Sequence, residues 1–179
     1  MRCFFVLVLL FGFSAAAEAQ TPQPYAGMHT REVKSLSPSQ LDDLRQGRGM
    51  GLALPAELNG YPGPAHVLEL ADKLSLSTQQ RERMQSLFSA MTAEAIPLGE
   101  ALIAQETELD RQFASRSVTP VTLAAMTQTI GGTQGALRAA HLKYHLSTLE
   151  ALTPEQLQQY AKLRGYGDNV QQHEHQRRH

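Results

Sequence analysis

Two long stretches with helical spacing of apolar residues, each opened by a capping residue, constrain this fold more than any other feature. The first covers residues 78–114, and its apolar side chains recur at steps of three or four residues, with a single step of seven. The second begins at Thr119 and Pro120, an N-cap followed by a first-turn proline, and runs to about Ala151. Such stripes bury one side of a helix, so the sequence predicts two long amphipathic helices. The predicted core positions are Met84, Phe88, Met91, Ala95, Leu98, Leu102, Leu109 and Phe113 in the first helix and Leu123, Ile130, Leu137 and Tyr144 in the second.

Shorter helices are predicted around this pair, over about Pro38 to Gln46, from Pro64 to near Leu74, and over about Pro154 to Arg164. Glycine and proline punctuate residues 47–64, which we interpret as a flexible linker. A proline inside a helix loses a hydrogen bond, so Pro97 is predicted to kink the first long helix. A short turn around residues 115–119 joins the two long helices. The predicted fold class is therefore all-α, as an elongated antiparallel helical hairpin with short flanking helices.

The N-terminal residues have the pattern of an exported precursor. Arg2 precedes an apolar run that ends at Phe13, and Ala17-Glu18-Ala19 is a small-x-small cleavage site. The run is shorter than the roughly 20 apolar residues that span a bilayer. We therefore expect a signal peptide over residues 1–19, cleaved after Ala19, and no transmembrane anchor afterwards. Cleavage also removes Cys3, the only cysteine, so the mature chain is expected to form no disulfide.

Composition divides the remaining chain into three parts. Residues 20–63 are predicted to form a flexible, Gly/Pro-rich segment with a short helix, and residues 64–167 a helical domain. Residues 168–179 form a polar, histidine-rich tail that is predicted to be disordered. Tryptophan is absent and aromatic residues make up 6%, so Leu, Ala, Met and Ile must supply the core, which suits helices better than sheets.

Charge and motifs argue against several classes of function. The chain has 16 Lys and Arg residues against 17 Asp and Glu, a net charge of −1, which provides no electrostatic footprint for nucleic acid. It contains no Gly-x-Ser-x-Gly, phosphate-binding loop or His-Glu-x-x-His motif. The Gly-x-Gly-x-Gly at 47–51 lacks the preceding strand of a phosphate cradle. We therefore expect a protein that acts by binding other molecules through its surface, and not an enzyme.

One capping pattern occurs three times, as Leu36-Ser37-Pro38-Ser39-Gln40, Leu76-Ser77-Thr78-Gln79-Gln80 and Leu152-Thr153-Pro154-Glu155-Gln156. Ser or Thr caps the helix by accepting a backbone N–H, and the Gln three residues later reaches back to the backbone N–H of the cap. On this physics alone, all three copies are helix starts and nothing more. In the second and third copies the motif residues are Leu76, Ser77 and Gln80 and then Leu152, Thr153 and Gln156.

This pattern also resembles the LTxxQ signature of the Spy/CpxP family of bacterial periplasmic proteins, and the resemblance covers about residues 70–165. It implies a periplasmic location and a thin, cradle-shaped helical dimer. A thin hairpin buries little surface alone, which also favours a homodimer. This chain departs from the family's chaperones in charge, since such cradles tend to be basic.

The resemblance implies two kinds of function. Some family members are ATP-independent chaperones or dampen envelope-stress signalling, and their partners are unfolded or stress-related envelope proteins. Others, in the CnrX and ZraP branches, bind or sense heavy metals. The first kind is the predicted function, with no required cofactor. The alternative is a protein that binds or senses a divalent metal such as Zn, Ni, Co or Cu.

His141 and His145 are the candidate metal ligands. They are four residues apart on a predicted helix, so both imidazoles lie on one face and can bind a divalent metal. His66 and Glu69, also one turn apart, are plausible further donors. The resemblance to the metal-sensing branch points to the same pair of histidines. The other interpretation is a core-edge His141 bonded to a carbonyl and a solvated His145.

Two other sets of residues carry weaker metal signals. The tail residues His173-Glu174-His175 and His179 suit loose binding of Zn, Cu or Ni, or are simply solvated. Met84, Met91 and Met126 have side chains that bind copper. Because they lie on apolar stripes, we interpret them as core residues.

Overall fold

The computed structural model describes residues 23–166, and within this range the chain is all helical. Helices contain 69% of the residues and no strand occurs between residues 23 and 166. This confirms the predicted all-α class. The predicted signal peptide, the expected cleavage after Ala19 and the histidine-rich tail lie outside the described residues.

Six α-helices follow a 3-10 turn at Met28–Thr30 within this range. They are α1 Pro38–Arg45, α2 Leu54–Glu57, α3 Pro64–Glu69, α4 Thr78–Ala114, α5 Pro120–Glu150 and α6 Pro154–Leu163. Helix α3 ends at Glu69 and not near Leu74 as predicted, because the chain must turn back there to reach the start of α4. Ser75 takes a left-handed backbone conformation in that turn, with φ 50°. Helix α4 continues through Pro97 without interruption.

Local capping chemistry sets the starts of four of these helices. The side chains of Ser37, Ser77, Thr119 and Thr153 each accept a hydrogen bond from the backbone N–H three residues later. In each case the side chain at that later position bonds back to the N–H of the cap. Such caps contribute about 1 kcal/mol each, which explains why the starts were predictable from short sequence patterns.

Helices α4 and α5 pack against each other, and residues 115–119 connect them. The hydroxyl of Tyr144 donates to Glu94 at 3.2 Å, and the side-chain amide of Gln80 donates to the carbonyl of Ala151 at 3.0 Å. These pairings place Gln80, near the start of α4, beside Ala151, just after the end of α5. The buried positions are Met84, Leu87, Met91, Ala95, Gly99, Leu102 and Ile103 on α4, and Ile130, Leu137, Ala140, His141, His145 and Thr148 on α5.

The predicted core stripes are correct near the middle of the pair and wrong near residues 115–119. Phe113 and Leu123 were predicted to face the core, and they are 53% and 36% exposed. Met84 and Met91 are buried, which confirms the interpretation of both as core residues.

Residues 33–63, which we call the strap, pack along the α4/α5 pair. The sequence predicted a flexible segment over residues 20–63, but in the structure the strap is part of the core. Its side chains Val33, Leu41 and Leu44 are buried in a cluster with residues of α4 and α5. Leu41 and Leu44 are three residues apart and share one face of α1, which would otherwise be exposed to water.

The strap runs from the 115–119 end of the pair toward the opposite end. At its start, Nζ of Lys34 lies 3.3 Å from a carboxylate oxygen of Asp110. Further along, Gly49 lies against the ring of His141. The strap therefore crosses both long helices before the chain enters α3.

The second and third copies of the capping pattern meet at that opposite end. Leu76 and Leu152 are buried in one apolar cluster. The Nε2 of Gln80 donates to the Oε1 of Gln156 at 2.8 Å, and the Nε2 of Gln156 donates back at 3.1 Å. These two glutamines therefore link the starts of α4 and α6 in addition to capping them. Gln40, in the first copy, is exposed and serves its own helix cap.

Helix α4 contains a stretch of 18 residues with mean hydropathy 1.3, long and apolar enough by composition to cross a membrane. Core helices of globular proteins have the same property, so this is weak evidence for a membrane span. A third of that stretch, 33%, is buried within the protein.

The closest approach of the strap to α4 is at Gly99. A Cβ at this position would lie 2.4 Å from the carbonyl oxygen of Leu44, so the two backbones are in direct contact. Gly131 of α5 differs, because a Cβ there would meet nothing within 4 Å. The packing therefore requires glycine at position 99 but not at position 131, so the two positions can be compared directly.

We predict that Gly99→Ala lowers the free energy of unfolding by about 1–3 kcal/mol, because α1 must shift to make room for the methyl group. Gly131→Ala should raise it by about 0.5–1 kcal/mol, since alanine is the better helix former and has free space. Urea denaturation followed by circular dichroism measures both. An equal increase in the free energy of unfolding of both variants would contradict the close contact at Gly99.

Candidate functional site

A buried carboxylate, Glu57, lies at the centre of a polar cluster at the end of the strap. Its side chain is 5% exposed. One carboxylate oxygen accepts two hydrogen bonds. One comes from the hydroxyl of Tyr160 and the other from Nδ1 of His66, at 3.2 Å. The second oxygen accepts from the backbone N–H of Gly63 at 3.1 Å. The cluster therefore joins α2, α3 and α6 through a single side chain.

His145 brings α5 into the same cluster. Its Nδ1 donates to the carbonyl of Tyr61 at 2.7 Å and lies 3.7 Å from Glu57. Because a carbonyl only accepts, this bond places a proton on Nδ1 and leaves Nε2 as the free ring nitrogen. A Cβ on Gly63 would lie 2.9 Å from the imidazole ring, so only glycine fits beside it. The side chain of Arg164, at 3.7 Å from Glu57, adds a positive charge.

The electrostatics of the cluster favour an ionised Glu57. Burial by itself raises the pKa of Glu57, but hydrogen bonds from His66 and Tyr160 lower it by more, so the pKa lies below the ordinary 4.5. Burial and the neighbouring carboxylate raise the pKa of Tyr160, which keeps its hydroxyl protonated as a donor. The cluster is therefore a compensated buried charge, and its evident role is to hold the strap against α5 and α6.

His141 lies one turn before His145 and is also buried. Its Nε2 has no hydrogen-bond partner among the described residues, which is unusual for a buried polar atom. Burial lowers the pKa of His141, and the nearby His145 lowers it further, so the neutral imidazole is favoured. The ring is covered by Gly49 of the strap.

The structure brings together some of the predicted metal ligands. His66 and His145 both approach Glu57, with His141 one turn away, whereas Glu69 is exposed and takes no part in the cluster. Between residues 23 and 166, no group of three His, Cys, Asp or Glu side chains is arranged to hold a metal ion. The metal site stays a prediction. In the competing interpretation, His141 bonded a carbonyl and His145 was solvated. The carbonyl bond is made by His145 instead, and both rings are buried because the strap covers them.

Sequence reasoning missed Glu57 and Tyr160 as members of the cluster. One signal was present: Glu57 is the only Asp, Glu, Lys or Arg between Arg48 and Glu69. A lone carboxylate among apolar and turn-forming residues indicates a specific partner, since an unpaired charge is costly to bury. The identity of the partner was not accessible, because Tyr160 is more than one hundred residues away in the chain, at a separation of 103.

We predict that Glu57→Gln lowers the free energy of unfolding by about 2 kcal/mol near neutral pH, because the carboxamide cannot accept from every donor around it. Since the pKa of Glu57 is lower in the folded chain, its contribution is present above pH about 4.5 and is lost as the pH falls through the folded pKa. The variant should lack this part of the acid sensitivity. Urea denaturation at a series of pH values tests both effects. Glu82→Gln, at an exposed position of α4, is the control, and identical pH profiles for the two variants would refute the prediction.

Comparison with protein-family models, with curated proteins and with solved structures finds no match to this chain. The resemblance to the Spy/CpxP family therefore rests on the capping motifs and on the order of the helices that carry them.

Proposed function

We propose that this protein is an ATP-independent periplasmic chaperone or envelope-stress adaptor of the Spy/CpxP type. In this proposal a signal peptide is cleaved after Ala19, and α4 and α5 form an elongated antiparallel hairpin in a cradle-like homodimer. The partners are unfolded or stress-related envelope proteins. The capping motifs support the family, and one feature of the surface supports the activity.

That feature is an uncharged, exposed arm, which we define as residues 117–129 at the start of α5. The arm contains no charged residue, and none of its side chains is buried. Val121 is 79% exposed and Leu123 36%. Phe113, at the end of α4, is exposed as well. An apolar surface without charges favours contact with apolar segments of other proteins.

The strap leaves this arm uncovered. At the start of the strap, Lys34 bonds to Asp110 and Ser35 to Glu106 on α4. No residue from Pro120 to Thr129 is buried. The arm is thus available to a partner in the chain as described.

Charge sets the expected kinetics of partner binding. With a net charge of −1, the chain has no strong field to attract partners over long distances. Association should therefore be slower than in a basic cradle and nearly independent of salt.

We predict that the mature protein, in several-fold excess and without ATP, suppresses the aggregation of an unfolding client measured by light scattering. Val121→Asp combined with Leu123→Asp should weaken this suppression, because charges make the arm unfavourable for apolar segments. Gln134→Asp combined with Ala139→Asp adds the same charge at exposed positions of α5 outside the arm and should have little effect. If the wild-type protein leaves scattering unchanged with and without Zn, the proposed chaperone activity is wrong.

Metal binding is the second candidate, and the histidine pair favours it. The Nδ1 of His145 is engaged by Tyr61, which leaves Nε2 for a metal, and the Nε2 of His141 has no partner among residues 23–166. Imidazole nitrogens one helical turn apart suit Zn, Ni, Co or Cu. Gly63 lies against the ring of His145, so this loop would have to move to admit an ion.

We predict that a chain lacking tail residues 173–179 binds Zn or Ni with release of protons, and that affinity falls below pH about 6 as protons compete for the imidazoles. Replacing both His141 and His145 with Ala should abolish the binding heat in calorimetry. His29→Ala, at an exposed position, is the control. Unchanged heat in the double variant would eliminate this pair as the site.

A further inference from the structure

Helix α1 covers a groove on the α4/α5 pair that is made almost entirely of apolar side chains and one glycine. On α4 the groove presents Ala95, Gly99, Leu102 and Ile103, and on α5 it presents Ile130 and Leu137. Into it α1 inserts Leu41 and Leu44, which are three residues apart on one helical face. This is the mode in which a short amphipathic helix fills a groove between two longer helices.

Helix α1 is held by apolar contacts of Leu41 and Leu44, whereas the end of the strap is held by buried hydrogen bonds. Ion pairs at the start of the strap are exposed: the side chains of Lys34 and Asp110 are 47% and 28% accessible. Exposed pairs of this kind contribute little. The end of the strap, in contrast, is fixed by Glu57, which is buried among hydrogen-bond donors from α3 and α6.

A glycine-rich turn separates these two parts of the strap. Gly47 and Gly51 have positive φ angles of 64° and 81°, and Met50 between them has φ 44°. Left-handed conformations suit glycine and are uncommon for methionine. Residues 47–51 therefore form a tight turn between α1 and the end of the strap that Glu57 anchors.

We infer that α1 is a displaceable cover, and that the groove beneath it binds short amphipathic helices of unfolded envelope proteins. The choice of partner rests on the proposed function, whereas the groove and its cover rest on the contacts of α1. The chain's own segment shows what the groove recognises, namely two leucines three residues apart on a helix that can press its backbone against Gly99.

The test uses the mature chain and a fluorescent peptide with the sequence of residues 31–46, followed by fluorescence anisotropy. Leu41→Asp combined with Leu44→Asp in the protein should release α1, and the peptide should then bind at least about tenfold more tightly than to the wild type, where the groove is occupied. Ser39→Asp combined with Gln46→Asp changes exposed residues near the same leucines and should leave the groove covered. Adding Gly99→Val to the opened variant should abolish peptide binding.

Two results would overturn the inference: equal binding of the peptide to wild type and opened variant, or no binding to an opened variant that retains its helical circular dichroism. Hydrogen exchange of the wild type gives an answer even if that variant does not fold. Amides of α1 should exchange much faster than those of residues 84–103 of α4, and equal protection would show that α1 opens only on global unfolding.

Light scattering separates this inference from the proposed function. The opened variant should suppress client aggregation more strongly than the wild type. Peptide binding without any effect on scattering would leave the groove and its cover established and refute the chaperone proposal. Suppression of aggregation by the wild type, without peptide binding to the opened variant, would support the chaperone proposal and refute the groove and its cover.

Discussion

The buried carboxylate of Glu57 is the interaction on which the arrangement of the other segments depends. A charge removed from water must be compensated by several donors at once, and a partly satisfied charge is worse than none. Here the donors come from separate parts of the chain: Gly63 after α2, His66 on α3 and Tyr160 on α6. All must arrive in one register, so the ionised Glu57 selects one arrangement of the strap against the long helices.

This anchoring gives the strap two parts with different physical character. Around Glu57 the contacts are buried, polar and mutually dependent, so they form or break together. Around α1 the contacts are apolar and non-directional, and the approach at Gly99 is close only because that residue has no side chain. A segment held firmly at one end and loosely at the other can expose the surface beneath it without detaching. The structure thus combines a fixed register around Glu57 with an apolar surface that α1 covers.

The parts of the fold that were predictable from the sequence are those decided by neighbours in the chain. The predicted start of α4 agrees with the structure because Ser77 and Gln80 form a local capping box, and the start of α5 follows from Thr119 in the same way. The position of the strap depends on contacts across more than fifty residues, such as that of Leu44 with Gly99, a separation of 55. No periodic pattern signals such contacts. The carbonyl bond of His145 and the burial of both rings have the same origin, since the strap supplies the carbonyl of Tyr61 and covers His141 with Gly49.

The capping motif shows how a local signal also encodes a distant contact. A capping box accepts Glu as readily as Gln, because only the side-chain oxygen is used to reach the N–H of the cap. Gln80 and Gln156 use their oxygens in this way, and their amide groups then donate to each other and to the carbonyls of Ala151 and Leu74. Glutamate at either position would cap the helix but could not donate, and two carboxylates at this distance would repel each other. Gln40 makes no such pairing, so at that position Glu would serve as well as Gln. Glutamine is therefore required where α4 meets α6. The second and third copies of the five-residue pattern encode this contact between two helices, whereas the first copy encodes only a helix cap.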